Sequence, residues 1–289
     1  MRGNRDANLD HVGLVVDNLD AAAGSYERLG FTLTPFSRHL RKTPEGALVS
    51  RGTGNRCIML REGYIELLAA VEPLPETAYV RDWTRQYEGI HIVAFGTDAP
   101  DRTQARLEQA GIETAGVEFL GRRIDTPDGS AEVSFSLLKP VPEMPEGLFF
   151  YIRHETPELL WTVGNTSHAN RVVGLVEVLT AVDDLDRAQF RFDRFLGMSA
   201  ERAGHRRVYA LPRGRMVLVA ASDLAQDLYG AAPAFVPCNA IMTVASEDLD
   251  QTRRTLSSGG VQFETRSGRL VVSRNDATGV MLVIEQYRG

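Results

Sequence analysis

Four copies of one pattern run through the sequence, and this repetition constrains the fold more than any other feature. Residues 10–20 and 176–186 both begin with a Val-rich run, continue into Asp-rich turn residues and lead into a helical segment that ends at Gly30 or Gly197. Two further openings occur at His91 and near Ala240. Each copy has the order strand, helix, strand, strand, strand. The sequence therefore predicts an α+β protein of four βαβββ units that form two paired, curved mixed β-sheet domains.

The turn and cap residues set the predicted element bounds. In the first copy Asp17 and Asn18 precede the helix and Gly30 ends it, as expected for helix boundaries. The predicted elements of this copy are strands at 11–16, 31–36, 55–60 and 64–69 and a helix at 21–29. Those of the second copy are a strand at 89–95, a helix at 101–110, a turn at 126–129 and a last strand at 132–138.

A chain of 289 residues is long enough for two domains with their own cores. We predict an N-terminal domain at 8–140 and a C-terminal, degenerate domain at 172–288. The segment 141–171 lies outside the repeats and contains Pro142, Pro145 and Pro157, so it is interpreted as an interdomain connection.

Composition limits the partners. The formal net charge of −6 provides no basic field for nucleic acid. No apolar run approaches the roughly 20 residues that cross a bilayer, and the start lacks the apolar stretch of a signal peptide. Two cysteines, Cys57 and Cys238, are too few for a disulfide framework. We expect a cytoplasmic protein without nucleic-acid or membrane partners, whose scattered arginines, Arg38, Arg41, Arg122, Arg206 and Arg207, lie on a solvated surface.

Strand alternation predicts which side chains face a common cavity. Tyr64 and Glu66 lie on one face of their strand, opposite Ile65. His11 and His91 lie on the faces opposite the apolar residues of their strands. If two units form one curved sheet, His11, Glu66 and His91 converge. Two imidazoles and one carboxylate have the composition of a facial metal triad.

With these residues in view, the chain resembles the vicinal oxygen chelate superfamily, and within it the glyoxalase-like domain group. The resembling segments are residues 51–56 (RGTGNR), 63–68 (GYIELL), 149–150 (FF), 154–161 (HETPELLW) and 168–170 (HAN). The resemblance implies the glyoxalase / bleomycin resistance / dihydroxybiphenyl dioxygenase fold and metal ligands on the first and fourth strands of two paired units. Carried over by position, the ligands are His11, Glu66 and His91. The fourth place falls on Val133 when counted from the turn at 128–129, and on Glu132 when strand alternation is followed.

Other candidates surround this set. Tyr64 and Glu132 are predicted catalytic groups, able to donate a proton or to act as a base near the metal. His39 and His154 are predicted substrate-binding residues, and Glu132 is also a candidate fourth ligand. His168 either closes the cavity or has a structural role.

The later copies lack the candidate ligands. The counterparts of His11 and His91 are Glu177 and Ala240, and those of the remaining positions are about Val217 and Val283. One active and one degenerate half also resembles two-domain extradiol dioxygenases, which carry their metal in the C-terminal half. Here we expect the chemistry in the N-terminal half.

The leading hypothesis is a metal-dependent enzyme acting on a small, oxygen-chelating metabolite, in the dioxygenase or glyoxalase/isomerase-lyase range. The cofactor is one divalent metal ion: a three-ligand set favours Fe2+, and Mn2+, Zn2+, Ni2+ or Co2+ with acid–base chemistry is the competitor. Two alternatives are a metal-free protein that sequesters a drug or metabolite, and a regulatory or scaffolding module with a filled cavity. The partner is a small-molecule substrate, and the protein is a monomer or homodimer.

Overall fold

The computed structural model describes residues 7–43, 47–126, 129–227 and 235–288, so part of the turn predicted at 126–129 lies outside the described residues. The N-terminal half contains β1 (Asn8–Val15), α1 (Leu19–Arg28), β2 (Ser37–Lys42), β3 (Leu48–Met59), β4 (Tyr64–Ala70), α2 (Ala78–Gln86), β5 (Gly89–Gly96), α3 (Pro100–Gln109), β6 (Thr114–Thr126), β7 (Gly129–Pro140) and β8 (Leu148–His154). The C-terminal half contains β9 (Val172–Val182), α4 (Leu185–Leu196), β10 (Glu201–Ala203), β11 (Arg206–Ala210), β12 (Arg215–Ala220), β13 (Cys238–Ser246), α5 (Leu249–Ser258), β14 (Phe263–Arg266), β15 (Arg269–Val272) and β16 (Met281–Gln286).

The predicted α+β fold of four βαβββ units is confirmed. In each unit the first strand pairs in parallel with the fourth: β1 with β4, β5 with β8, β9 with β12, and β13 with β16. At three of the unit helices an Asn or Asp at the cap accepts a hydrogen bond from the backbone three residues on, as at Asn18, Asp184 and Asp248. The repeated turn residues therefore act as helix caps.

Two predicted elements were placed wrongly. Residues 31–36 form no strand, and the second strand begins at Ser37, which is the first residue paired with β3. The fourth strand of the second unit is β8, whereas residues 132–138 belong to β7, its third strand. The prolines around β8 suggested a connecting segment, but residues 148–154 form a strand that pairs with both β5 and β7.

The strands of the two halves belong to one continuous sheet. The central path runs β10-β11-β12-β9-β13-β5-β1-β4-β3-β2, and the remaining strands branch from β5 and β13. The junction is narrow: Asn239 of β13 pairs with Ile90 of β5, and its amide nitrogen donates to the Ile90 carbonyl over 3.1 Å.

A shared apolar core joins the halves more extensively than this sheet contact does. Phe192 and Phe195 of α4 are buried against rings of the N-terminal half. The Phe192 ring centroid lies 5.1 Å from that of Phe149, and the Phe195 centroid lies 5.0 Å from that of Tyr151. Arg106 of α3 donates to the Phe195 carbonyl over 2.8 Å. In the described ranges no helix is long and apolar enough to span a membrane.

His168 anchors the segment between the halves. Its Nδ1 accepts a hydrogen bond from the Thr32 backbone N–H over 3.0 Å, and its Nε2 donates to the Met59 carbonyl over 2.8 Å. One acceptor and one donor nitrogen define a neutral imidazole. Burial lowers the pKa of His168, an effect that the bond to Met59 only partly opposes. Of the two roles considered for His168, this geometry fits the structural one.

A pH-dependent stability follows from this neutral histidine. Because its folded pKa lies below the ordinary 6.5, the unfolded chain binds more protons below that pH, and stability falls as the pH decreases through 6.5. We expect His168→Gln, which does not titrate, to reduce this slope while costing about 1–2 kcal/mol near pH 7.5 through weakened hydrogen bonds. Urea unfolding of both proteins between pH 5 and 8 measures the difference. Equal slopes would show that folding does not lower the pKa of His168.

Candidate active site

One cavity lies against the strands of the N-terminal half and has a volume of about 140 Å³. A cavity of about 150 Å³ accommodates a benzene molecule, so this one suits a small ligand. Its walls are built by alternate residues of the surrounding strands, as the two-residue period of a strand requires. The lining residues include Arg51, Thr53 and Asn55 of β3; Tyr64, Glu66 and Leu68 of β4; Leu120 and Arg122 of β6; Phe135, Leu137 and Lys139 of β7; and Leu148, Phe150, Ile152 and His154 of β8.

Asp10 holds two of the imidazoles at one end of this cavity. Its Oδ1 lies 2.8 Å from Nδ1 of His11 and 3.2 Å from Nε2 of His154, and both histidines line the cavity. Burial raises the pKa of Asp10, but the hydrogen bonds from the two histidines more than offset this and hold the pKa below its usual range. An ionised carboxylate only accepts hydrogen bonds, so these two ring nitrogens carry the protons. The opposite nitrogen of each ring is left to act as an acceptor or ligand.

Glu66 is the carboxylate that lines the cavity. The Asn55 amide donates to its Oε1, and Nε2 of His39 lies 3.6 Å from the same oxygen. Burial would raise the pKa of Glu66, but His39, His11, the Asn55 amide and the Arg122 guanidinium together lower it. Glu66 is therefore an ionised, buried carboxylate among nitrogen donors.

Tyr64 and His39 complete the polar part of the wall. The Tyr64 ring stacks on the His11 ring, with centroids 4.1 Å apart. Burial, followed by the charges of Asp10 and Glu66, raises the pKa of Tyr64 well above its ordinary value, so this residue can donate a proton but is not a phenolate. Burial lowers the pKa of His39 to about 4 against the opposing effect of Glu66, so His39 is neutral at pH 7.

His91 does not join His11 and Glu66 at the cavity. Its ring stacks on Tyr87 and Trp83, with centroid distances of 4.0 and 5.3 Å, and its Nε2 donates to the Tyr87 carbonyl. Burial lowers its pKa, partly opposed by that bond. His11 and Glu66 therefore line the cavity as predicted, and the predicted convergence of His91 with them is wrong.

Two β-bulges explain this correction. Leu9 pairs with Phe95 and His11 with Ala94, so Asp10 is an extra residue in β1; His91 is the extra residue in β5. Beyond an extra residue in a strand, each side chain points to the opposite face of the sheet from the one that simple alternation predicts. In this register His11 of the first unit corresponds to Ile92 of the second. Glu66 corresponds to Phe150, because Glu66 pairs with Gly13 of β1 as Phe150 pairs with Ala94 of β5. In the second unit, apolar side chains thus occupy the places of the two polar groups.

Glu132 also lies away from the cavity. It is exposed on β7, while Phe135, Leu137 and Lys139 line the cavity and Val133 is buried beside Tyr64. From the sequence, the Glu132 face of this strand is predicted to be the open one because it is the more polar. The cavity wall is instead largely apolar, so the polar face of β7 is turned outward.

Arg122 and Asn55 were not predicted as site residues. Arg122 is 9% exposed rather than a surface residue, and Arg207 is buried to the same extent. Arg122 Nη1 donates to Asn55 Oδ1, so the amide links the guanidinium to Glu66. Leu120, Arg122 and Ile124 alternate along β6, and this apolar–Arg–apolar pattern was the sequence signal that could have shown Arg122 facing inward.

The donor set is compatible with a metal ion. In the described part of the chain, Asp10, His11 and His154 form a group that could hold one, with candidate ligand atoms within 4.8 Å of one another. His11 and His154 each use one ring nitrogen to bind Asp10, and that nitrogen carries a proton. This favours Asp10 as an anchor that orients the histidines, an arrangement common around metal-binding imidazoles. Nδ1 of His154 is buried without a hydrogen-bond partner among the described residues, as expected of a nitrogen that awaits a ligand.

The equivalent region of the C-terminal half is filled. Val217, Ala240 and Val283 lie in one buried apolar cluster with Leu179 and Ile241. Glu177, the counterpart of His11, forms an ion pair with Arg215. The two residues lie opposite each other on β9 and β12, as His11 and Tyr64 do on β1 and β4. Side chains therefore occupy the space that the N-terminal half leaves open.

Comparison with known proteins agrees with this architecture. The family model described as a glyoxalase-like domain matches residues 9–196. No curated protein matches the sequence at a significant level.

Solved structures share the fold at low sequence identity. A hypothetical protein from Staphylococcus aureus is 13% identical with a TM-score of 0.68, and the match covers 97% of this chain and 100% of that one. A mutant of 4-hydroxymandelate synthase from Streptomyces coelicolor is 14% identical with a TM-score of 0.61, covering 99% and 95%. A fusion protein of a xylose isomerase-like TIM barrel and 4-hydroxyphenylpyruvate dioxygenase is 10% identical with a TM-score of 0.55, covering 99% of this chain and 50% of that one.

Proposed function

Since the chain belongs to the glyoxalase-like domain family, we propose that it is a metal-dependent enzyme acting on a small molecule that chelates the metal through adjacent oxygens. The observation that carries this proposal is the buried pair of His11 and Glu66, an oriented imidazole and an ionised carboxylate on one small cavity. A dioxygenase is among the chains that share this fold, and on this ground we rank an oxygen-dependent reaction above isomerase or lyase chemistry.

The residues have distinct roles in this proposal. His11 and Glu66 hold the ion, and His39 or His154 supplies a further imidazole. When bound, a divalent ion polarises a substrate oxygen and stabilises negative charge that develops on it. Tyr64, protonated and stacked on His11, orients the substrate or donates a proton. Asp10 keeps His11 in the tautomer whose Nε2 is the free nitrogen.

Metal binding tests the proposal directly. Protein purified without chelators is assayed for bound metal. The metal is then removed with a chelator, and the protein is titrated with Fe2+ under nitrogen and separately with Mn2+, Zn2+, Ni2+ and Co2+. We expect one ion per chain and a rise in melting temperature of about 5 °C when the metal is at 100 times its dissociation constant. Turnover of candidate substrates under oxygen and under nitrogen then separates dioxygenase from lyase chemistry.

A metal-free binding protein is the second candidate, and one observation favours it. Ile92 and Phe150 occupy the two places in the second unit that correspond to His11 and Glu66. If none of the five metals binds or changes thermal stability, the enzyme proposal is wrong and this second candidate remains.

A further inference from the structure

The cavity wall carries more positive than negative charge. Its permanent cations are Arg51, Arg122 and Lys139, from three different strands, and Glu66 is the carboxylate among its described lining residues. Asp10 lies behind the wall, where His11, His154 and Arg213 already surround it.

Arg122 is the most buried of these cations. Its side chain is buried, and its short hydrogen bond is to a neutral partner, the Asn55 amide oxygen. Nη2 has only a weak contact of 3.9 Å with the Cys57 sulfur, and Nε is buried with no hydrogen-bond partner among the described residues. A buried guanidinium is costly unless an anion pairs with it. Its planar group of donors matches the two oxygens of a carboxylate.

We propose that the ligand of this cavity is a small carboxylate with an apolar body, and that its anionic group binds Arg122 with support from Lys139 and Arg51. The apolar body lies against the surrounding wall of Leu120, Phe135, Leu137, Leu148 and Phe150. This inference extends the proposed function, because it names the charge class of the molecule that the same cavity takes. The volume of about 140 Å³ limits the body to about the size of one aromatic ring.

Benzoate and benzamide form a matched pair of probes that differ in charge and little in shape. Binding is measured by calorimetry in chelator-treated protein, so the result does not depend on metal. We expect benzoate to bind at least about 10-fold more tightly than benzamide, since a hydrogen bond to a charged group contributes roughly 1.5–3 kcal/mol. Equal affinities, or no benzoate binding up to tens of millimolar, would overturn the inference without touching the metal proposal.

Arg122→Met and its neighbour Arg123→Met locate the interaction. Arg123 follows Arg122 on β6 but is exposed, so it is a matched control for removing one positive charge. We expect Arg122→Met to weaken benzoate binding at least about 10-fold and to leave benzamide binding unchanged, whereas Arg123→Met changes neither. Equal losses in the two variants would show that only the overall charge matters and would contradict the assignment.

Two further measurements test the proposal with a second variant and a second anion. If Arg122→Met does not fold, Lys139→Met in the same wall is expected to weaken benzoate about threefold while sparing benzamide, and an unchanged ratio would contradict the proposal. Inorganic phosphate is titrated against the parent protein as the other source of an anionic group. Phosphate binding tighter than benzoate binding would show that the site takes a small inorganic anion rather than a carboxylate with an apolar body.

Discussion

Replacing the Glu66 carboxylate by an amide is expected to remove most of the stabilisation that a divalent metal gives this protein. Glu66→Gln keeps the side-chain shape and an oxygen that can accept from Asn55, but it loses the negative charge that the ion requires. With metal at 100 times the parent dissociation constant, the parent gains about 2.7 kcal/mol. A variant that binds 100-fold more weakly gains about 0.4 kcal/mol. Thermal unfolding with and without metal measures both values.

Two matched variants make this result specific. Glu132→Gln removes a carboxylate from the exposed face of β7 and is expected to keep the full metal effect. His91→Gln alters the imidazole that stacks on Tyr87 and is expected to keep it as well. If His91→Gln loses the metal as Glu66→Gln does, the ion is bound by the set predicted from sequence rather than by groups on the cavity. Full stabilisation of Glu66→Gln would exclude Glu66 as a ligand.

Truncating Phe192 is expected to destabilise both halves of the chain together. Phe192 belongs to α4 of the C-terminal half, is fully buried, and packs on Phe149 of the N-terminal half and on Tyr209. Removing a buried aromatic ring costs about 3–5 kcal/mol. Because the cavity that Phe192→Ala leaves lies in a core shared by both halves, we expect one cooperative transition that moves to lower urea concentration.

The two tryptophans make the coupling measurable. Trp83 and Trp161 precede the C-terminal half, so their fluorescence reports on the N-terminal half, while circular dichroism reports on both. Coincident, shifted transitions are expected for Phe192→Ala. Phe190→Ala in the same helix is the control: Phe190 is 63% exposed, and its loss should cost less than about 1 kcal/mol. A fluorescence transition that stays at the parent midpoint would show that the halves unfold independently.

Regular periodicity explains why the architecture and part of the cavity wall could be predicted. Capping residues recur in three of the four units, where local hydrogen bonds at Asn18, Asp184 and Asp248 fix where the helices begin. Alternation in β4 correctly placed Tyr64 and Glu66 on one face and Ile65 on the other. His39, predicted from its place in a loop, and His154, predicted from the family resemblance, also line the cavity.

Alternation failed where the register was interrupted or where polarity was a poor guide to burial. The bulges at Asp10 and His91 moved His91 off the cavity and brought Ile92 to it, and no local signal in the sequence marks an extra residue in a strand. On β7 the polar face of Glu132 is exposed, because a cavity for a small ligand is walled mainly by apolar side chains. β8 was not predicted as a strand because the prolines around it suggested a connecting segment.

The sequence by itself determined four βαβββ units and an N-terminal half that differs from its copy at His11 and Glu66, because helix caps and strand alternation are short-range properties. Only the tertiary structure decided which residues meet. Asp10 and His11 of β1 meet His154 of β8, and Asn55 and Glu66 of β3 and β4 meet Arg122 of β6. Their contacts depend on pairing register and sheet curvature, which are set by long-range packing rather than by any single segment.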